Sequence, residues 1–205
     1  FNIEADQAEH IIDAVNEVAN NFSVSSADLA TNLGNMSAIM AINNVSMEQQ
    51  IGMLTGVTEI TRNASSASRG LVMISSRLTQ VLDDASSTGK KLTKIYNDLG
   101  IELLDENGQL RSHYDILSDL AVKWNSLSEN QQKYIALTSA GARQQQNFVA
   151  LMENWSQVAD ATTTAYNSMG SAQKENEKVM DSIEKKVEIL RSQFQQLVIG
   201  KGCLQ

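Results

Sequence analysis

Apolar residues recur at three- and four-residue steps along most of this 205-residue chain, the spacing of one face of an α-helix. Ile11, Ile12, Val15, Val18 and Phe22 predict a first helix over about residues 4–21. Leu29, Leu33, Met36 and Met40 predict a second over 26–42, broken by Asn43-Asn44. Ile51, Leu54, Val57 and Ile60 mark a third over 47–62. Leu71, Ile74, Leu78, Val81 and Leu82 mark a fourth over 66–84. A short helix at 91–99 ends at Gly100. Ile116, Leu117, Leu120, Trp124 and Leu127 then outline a helix over 114–127, and another at 129–140 stops near Gly141. Phe148, Leu151, Met152 and Trp155 carry residues 142–158 as one helix.

The polar positions punctuate this pattern. A Ser N-cap followed three residues later by Asp or Gln can satisfy free backbone donors at a helix start. It occurs at Ser25 with Asp28, Ser46 with Gln49, Ser112 with Asp115, and Ser128 with Gln131; the Gln pairs come closest to a capping box. Between the helices, Ile101–Leu104 and Gln109–Arg111 flank a turn-forming Asn107-Gly108, which predicts a small β-hairpin near 101–111. At the far end Met180, Ile183, Val187, Leu190, Phe194 and Leu197 are spaced 3, 4, 3, 4, 3. That is a heptad stripe of about two and a half repeats, able to pack on its own domain or on a second copy. The expected architecture is all-α: a multi-helix bundle with the small hairpin and a long C-terminal heptad helix. Its expected parts are an N-terminal acidic helical region (1–90), a short helix and hairpin connector (91–111), and a helical region ending in the coiled-coil-prone helix (112–205). Gly52 and Gly56 form a GxxxG spacing, expected to mark a close helix crossing inside the bundle.

Composition sharpens the class. There is no proline, where average usage would give about ten; its absence favours long helices with short polar connections. Aromatics are 5% of the chain, so Leu, Ile, Val, Met and Ala must build the core. The net charge of −8 is segregated: residues 1–61 hold eight acids and no Lys or Arg, whereas 62–205 hold 16 acids and 16 bases. An acidic first third disfavours sequence-independent DNA binding by this segment, which needs a basic surface, and no specific nucleic-acid binding is expected of it. The longest uncharged run, Leu29 to Met47, is too rich in Asn, Ser and Thr to span a membrane. The start at Phe1 and the end at Gly200–Gln205 suggest a fragment of a larger chain.

Candidate chemistry is sparse. Cys203 alone can form neither an internal disulfide nor a cysteine-rich metal site. His10, Asp13 and Glu17 share one helix face and are the best metal-ligand cluster available, though a solvated acidic face explains them equally well. His113, just inside a helix start, is expected to face solvent. Asp105-Glu106-Asn107-Gly108 lacks the wider ligand spacing of a calcium loop. Asp115, Asp119 and Glu129 near Trp124 read as helix starts and solvated faces. No glycine-rich phosphate loop and no nucleophile elbow occurs. No catalytic, cofactor-binding or metal site is expected, and the chain does not read as an enzyme.

The stretch Leu99 to Gln196 resembles phage tail tape measure proteins of the phage minor tail protein family. The resemblance rests on Gly100-Ile101-Glu102-Leu103-Leu104-Asp105-Glu106-Asn107-Gly108, then Tyr114-Asp115-Ile116-Leu117-Ser118-Asp119-Leu120 and Trp124, then Leu127-Ser128-Glu129-Asn130-Gln131-Gln132, and then Ala140-Gly141-Ala142-Arg143-Gln144 with Asn147-Phe148, Leu151 and Asn154. Gly170-Ser171-Ala172 precedes the heptad segment, and Ser46 to Leu78 fits the same region. The resemblance implies a helical, multi-copy virion protein of the tail lumen or tip, assembled in the host cytoplasm, whose length sets tail length. It implies contacts with other tape measure copies and with tail tube, tail-tip and tail assembly chaperone proteins, and departure ahead of the DNA at genome ejection. Some members carry muralytic domains elsewhere, and no residue of such a site is visible here. The other reading is a helical signalling or adaptor module of receptor-like coiled-coil type. Such coiled coils keep heptads over long uninterrupted spans, whereas caps and a turn interrupt this chain.

Overall fold

A computed structural model describes residues 5–172 together with Lys174 and Lys185. Among the described residues nine α-helices follow one another: α1 (Ala5–Asn21), α2 (Ser26–Ile42), α3 (Met47–Thr61), α4 (Ala64–Thr79), α5 (Ser87–Asp98), α6 (His113–Trp124), α7 (Glu129–Ala140), α8 (Gln145–Glu153) and α9 (Trp155–Tyr166). A 3-10 turn, Gln80–Leu82, continues α4, so the fourth helix stops short of residue 84. The all-α class is as the apolar spacing implied.

Capping chemistry sets many of the starts. Ser25 Oγ accepts from the Asp28 amide at 3.0 Å. At Ser46 and Ser128 a complete capping box forms, each Gln side chain accepting from the Ser backbone at 2.9 Å. Ser112 is different: its side chain makes no cap bond, and its hydroxyl is buried without a partner in the protein. Asn63 and Ser86 cap α4 and α5 by accepting from the Ser66 and Gly89 amides. These two caps escape the sequence pattern because Ser66 and Gly89 carry no side chain able to reach back. The Ser86 cap is why α5 begins at Ser87 rather than near Lys91.

Helix α3 organises the packing. Residues 50–58 are buried on every side, as expected of a helix at the centre of a bundle. It touches α1, α2, α4, α8 and α9. The tightest crossing is with α9, where Gly52 and Gly56 let the two backbones approach. A Cβ on Gly52 would stand 2.6 Å from the Val158 carbonyl oxygen and would meet Thr162 Oγ1, and one on Gly56 would meet Val158 Cγ2. The GxxxG spacing therefore marks a close crossing within the bundle. One core runs from Ala14 and Val18 through Leu29, Met36, Leu54, Leu71, Leu92 and Leu120 to Phe148 and Ala165.

Two expectations need correction. The single helix over 142–158 is two helices. Helix α7 ends at Ala140, Gly141 follows at φ +73°, and residues 142–144 turn with the Gln144 amide donating to the Gly141 carbonyl at 3.1 Å, so α8 starts at Gln145. Asn154 then breaks the rod, with its side-chain amide donating to the Gly56 carbonyl of α3 at 2.9 Å. Helix α9 continues past residue 158 to Tyr166.

The hairpin near 101–111 does not form as strands among the described residues. A lone antiparallel bridge, Leu104 to Leu110, closes the loop. The ladder is limited to two bonds, Arg111 N–H to the Leu103 carbonyl at 2.9 Å and Asp105 N–H to the Gln109 carbonyl at 2.8 Å, while the Gln109 amide, which would return the second of these, donates instead to Asp105 Oδ1.

The long C-terminal heptad helix, with Met180, Ile183, Val187, Leu190, Phe194 and Leu197, lies outside the described residues. The compact unit that holds α1–α9 runs to Met169, and Gly170–Gln205 form a second unit.

Candidate functional site

A buried polar cluster sits where the end of α2, the C-terminal half of α4 and the start of α6 meet. His113, expected at the surface, is 1% exposed. Its backbone amide donates to the Asn43 carbonyl at 3.3 Å, and its Nδ1 lies 2.8 Å from Ser75 Oγ. Asn43 Nδ2 donates to Ser75 Oγ at 3.1 Å and to the Ile39 carbonyl at 2.7 Å, while Thr79 Oγ1 lies 3.0 Å from Asn43 Oδ1. His113 Nε2 has no hydrogen-bond partner in the protein. Burial pushes the imidazole down to about 4, so the ring is neutral near pH 7.

A serine hydroxyl against an imidazole is the first element of a nucleophile and base. Here both residues are at most 1% exposed, and no substrate can reach Ser75 Oγ. The geometry makes a joint between three helices. Sequence reading missed it because its members are distant: Asn43 and Ser75 are separated by 32 positions, Ser75 and His113 by 38.

The acidic face of α1 is partly consumed by packing. His10 Nε2 contacts Glu48 Oε1 at 2.9 Å, tying α1 to α3. Asp13 is buried and Glu17 half-buried. Among the described residues no group of three His, Cys, Asp or Glu is placed to hold a metal ion.

Around Trp124 the acids point to structural tasks. The indole is buried against Phe148, ring centroids 5.9 Å apart in an edge-to-face arrangement. Asp119 pairs with Arg111 at 2.9 Å, and Glu129 with Lys133 at 3.3 Å on the surface.

Between α5 and α7, burial raises the Tyr96 phenol well above its usual range. Ser139 faces that hydroxyl closely enough to interact, yet neither group meets hydrogen-bond geometry. At the end of α7 the Arg77 guanidinium donates to the Thr138 carbonyl at 3.0 Å and lies over Gly141. A cation there complements the helix dipole.

An open groove of about 450 Å³ lies between Val81–Asp84 and α5. Its lining mixes Asp83, Asp84 and Asp98 with Lys90 and Lys94, and Lys94 is already held by Asp98 at 2.8 Å. The outer faces carry exposed apolar side chains, Ile42, Val122 and Met169 being the most exposed among the described residues. No helix among the described residues is long and apolar enough to cross a membrane.

Comparison with known proteins points to phage tails. A family model described as phage-related minor tail protein matches residues 1–141, which takes in α1 to α7. A curated protein of Pneumococcus phage Dp-1, named tape measure protein, is 22% identical over 200 residues. The alignment covers 97% of this chain and 17% of that relative, so the chain spans about a sixth of the relative's length. No solved structure matches the chain.

Proposed function

Since this chain belongs to the phage-related minor tail protein family, we propose that it is a folded anchoring or assembly segment of a tape measure protein, within a longer chain that helps set tail length and supports genome ejection. The observation that carries this reading is the coincidence of the family match with a compact helical body rather than a rod. Written as one helix, residues 1–169 would extend about 250 Å at the usual rise per residue. The longest helices here, α1 and α2, have 17 residues each, about 25 Å. A segment folded back on itself in this way adds little length and much surface.

In this reading the partners are other copies of the tape measure chain and the tail tube, tail-tip and tail assembly chaperone proteins. The place is the tail lumen or tip of the virion, reached from the host cytoplasm during assembly. The stripe Met180, Ile183, Val187, Leu190, Phe194 and Leu197 is the proposed contact between copies, because a heptad seam matches another of its kind.

Two in-frame deletions in the parent gene, scored by electron microscopy of particles, test the proposal. Removing residues 1–169 is expected to abolish tails, as loss of an assembly domain should. Removing an equal length of continuous predicted helix from elsewhere in the parent chain is expected to shorten tails by about 1.5 Å per residue. Full-length tails on infective particles after the first deletion would overturn the anchoring role. Equal shortening by both would make the segment a ruler.

A further inference from the structure

We infer that Asn107 is a site of spontaneous deamidation whose rate is governed by the turn that holds it. An Asn followed by Gly is the pair most open to this reaction, since glycine has no side chain to shield its amide nitrogen. Asn107-Gly108 lies at the tip of the bridge-closed loop, and residues 104–109 are all exposed, so water reaches the pair.

The reaction is intramolecular until its last step. The Gly108 amide nitrogen, having lost its proton to solvent base, attacks Asn107 Cγ. The new C–N bond forms, the Cγ–Nδ2 bond breaks, and ammonia leaves a five-membered succinimide. Water then adds to one of the two ring carbonyls. Opening one C–N bond gives aspartate, and opening the other gives isoaspartate, whose main chain is longer by one carbon.

The turn opposes the first step with three hydrogen bonds that converge on one residue. The attacking nitrogen itself donates to the Asp105 carbonyl at 2.9 Å. The flanking amides of Asn107 and Gln109 donate to Asp105 Oδ1 at 2.8 and 2.9 Å. Together they fix the peptide planes on both sides of the reacting bond, and Gly108 is held at φ +74°. Attack requires the Gly108 nitrogen to give up its bond and its plane, so the loop must open first. The product would not refit this turn. A carboxylate at position 107 would join Asp105 and Glu106 in a short exposed segment, and like charges at such spacing repel. In the isoaspartate form the Leu104–Leu110 bridge would have to close over a longer main chain.

The test follows the peptide containing residue 107 by mass spectrometry during incubation of the full-length protein at mildly alkaline pH. Folded wild type, wild type unfolded in urea, Asp105→Ala and Asp105→Asn are compared. Circular dichroism confirms that both variants stay helical. The folded wild type is expected to deamidate on the order of tenfold to a hundredfold more slowly than the unfolded chain, the factor expected when ordinary hydrogen bonds must open locally. Asp105→Ala, which loses both side-chain acceptances, should move toward the unfolded rate. Asp105→Asn, which keeps an acceptor oxygen in place, should stay near wild type. A folded wild type reacting at the urea rate would overturn the inference. So would an Asp105→Ala rate equal to wild type, or an Asp105→Asn rate equal to that of Asp105→Ala.

Discussion

Replacing Gly52 with alanine adds one methyl group at the tightest point of the bundle. That carbon would stand 2.6 Å from the Val158 carbonyl oxygen and 3.0 Å from the Thr162 amide nitrogen, and it would collide with Thr162 Oγ1. The threonine can turn aside only by giving up its 2.7 Å bond to the Val158 carbonyl. The carbonyl is main chain and moves only if α9 moves. Overpacking of this kind costs about 3 kcal/mol, while alanine gains about 1 kcal/mol over glycine inside a helix. The net is a destabilisation of about 2 kcal/mol. The same substitution at Gly34, on the outer side of α2, meets nothing within 4 Å and keeps only the propensity gain of about 1 kcal/mol. For a chain of this size each kcal/mol moves Tm by about 2–4 °C. Gly52→Ala should therefore melt about 4–8 °C lower, and Gly34→Ala about 2–4 °C higher. Thermal and urea melts followed by circular dichroism read both. A Gly52→Ala protein as stable as wild type would refute the close α3–α9 crossing, and equal shifts of the same sign would refute the reasoning for both sites.

Two further outcomes follow from the polar groups. His113 titrates at about 4 in the fold against an ordinary 6.5, so the unfolded chain takes up the proton first as pH falls. Its neutral burial contributes fully above pH 6.5, and stability drops between about pH 6.5 and pH 4 by about 3 kcal/mol. Urea melts at several pH values should show this slope, and His113→Asn should lack most of it; an unchanged slope in the variant would remove His113 as its source. Among the caps, Ser46→Ala and Ser128→Ala should each cost about 1 kcal/mol. Ser112→Ala should be close to neutral, since its hydroxyl makes no bond, and a loss at Ser112 equal to that at Ser46 would contradict the cap assignment.

Much of the helical frame was legible because its signals are local. Helices α1, α2, α3 and α7 begin and end within a residue or so of where apolar spacing and Ser caps put them. Several of the failures are non-local. The apolar stripe from Phe148 to Trp155 runs unbroken through Asn154, because the break is made by a hydrogen bond to Gly56, 98 positions away. His113 looked like an ordinary first-turn residue, and only the arrival of Asn43 and Ser75 buries it. Gly141 stood out as a helix stop, but its φ of +73° and ψ of 164° fall in a region open essentially to glycine alone. The Arg77 side chain lying over it belongs to another helix. The hairpin expectation placed the turn correctly and misjudged the strands, since the Asp105 side chain takes the Gln109 amide out of the ladder. The segregation of charge drew attention to α1, yet its histidine serves to join two helices.

The enclosure of α3 has a consequence for how the protein is made. On a ribosome, α3 emerges early, while the Val158–Thr162 edge that covers its glycine face emerges about a hundred residues later. During that interval a helix that ends up buried on every side from residue 50 to 58 has α1, α2 and α4 for shelter and an open flank. Long-range closure of this sort slows folding relative to bundles built from sequential neighbours, and a nascent chain with an uncovered flank invites other apolar surfaces. The region matched by the family ends at residue 141, before α8 and α9 begin, so an expression fragment cut at that boundary would carry the open flank permanently.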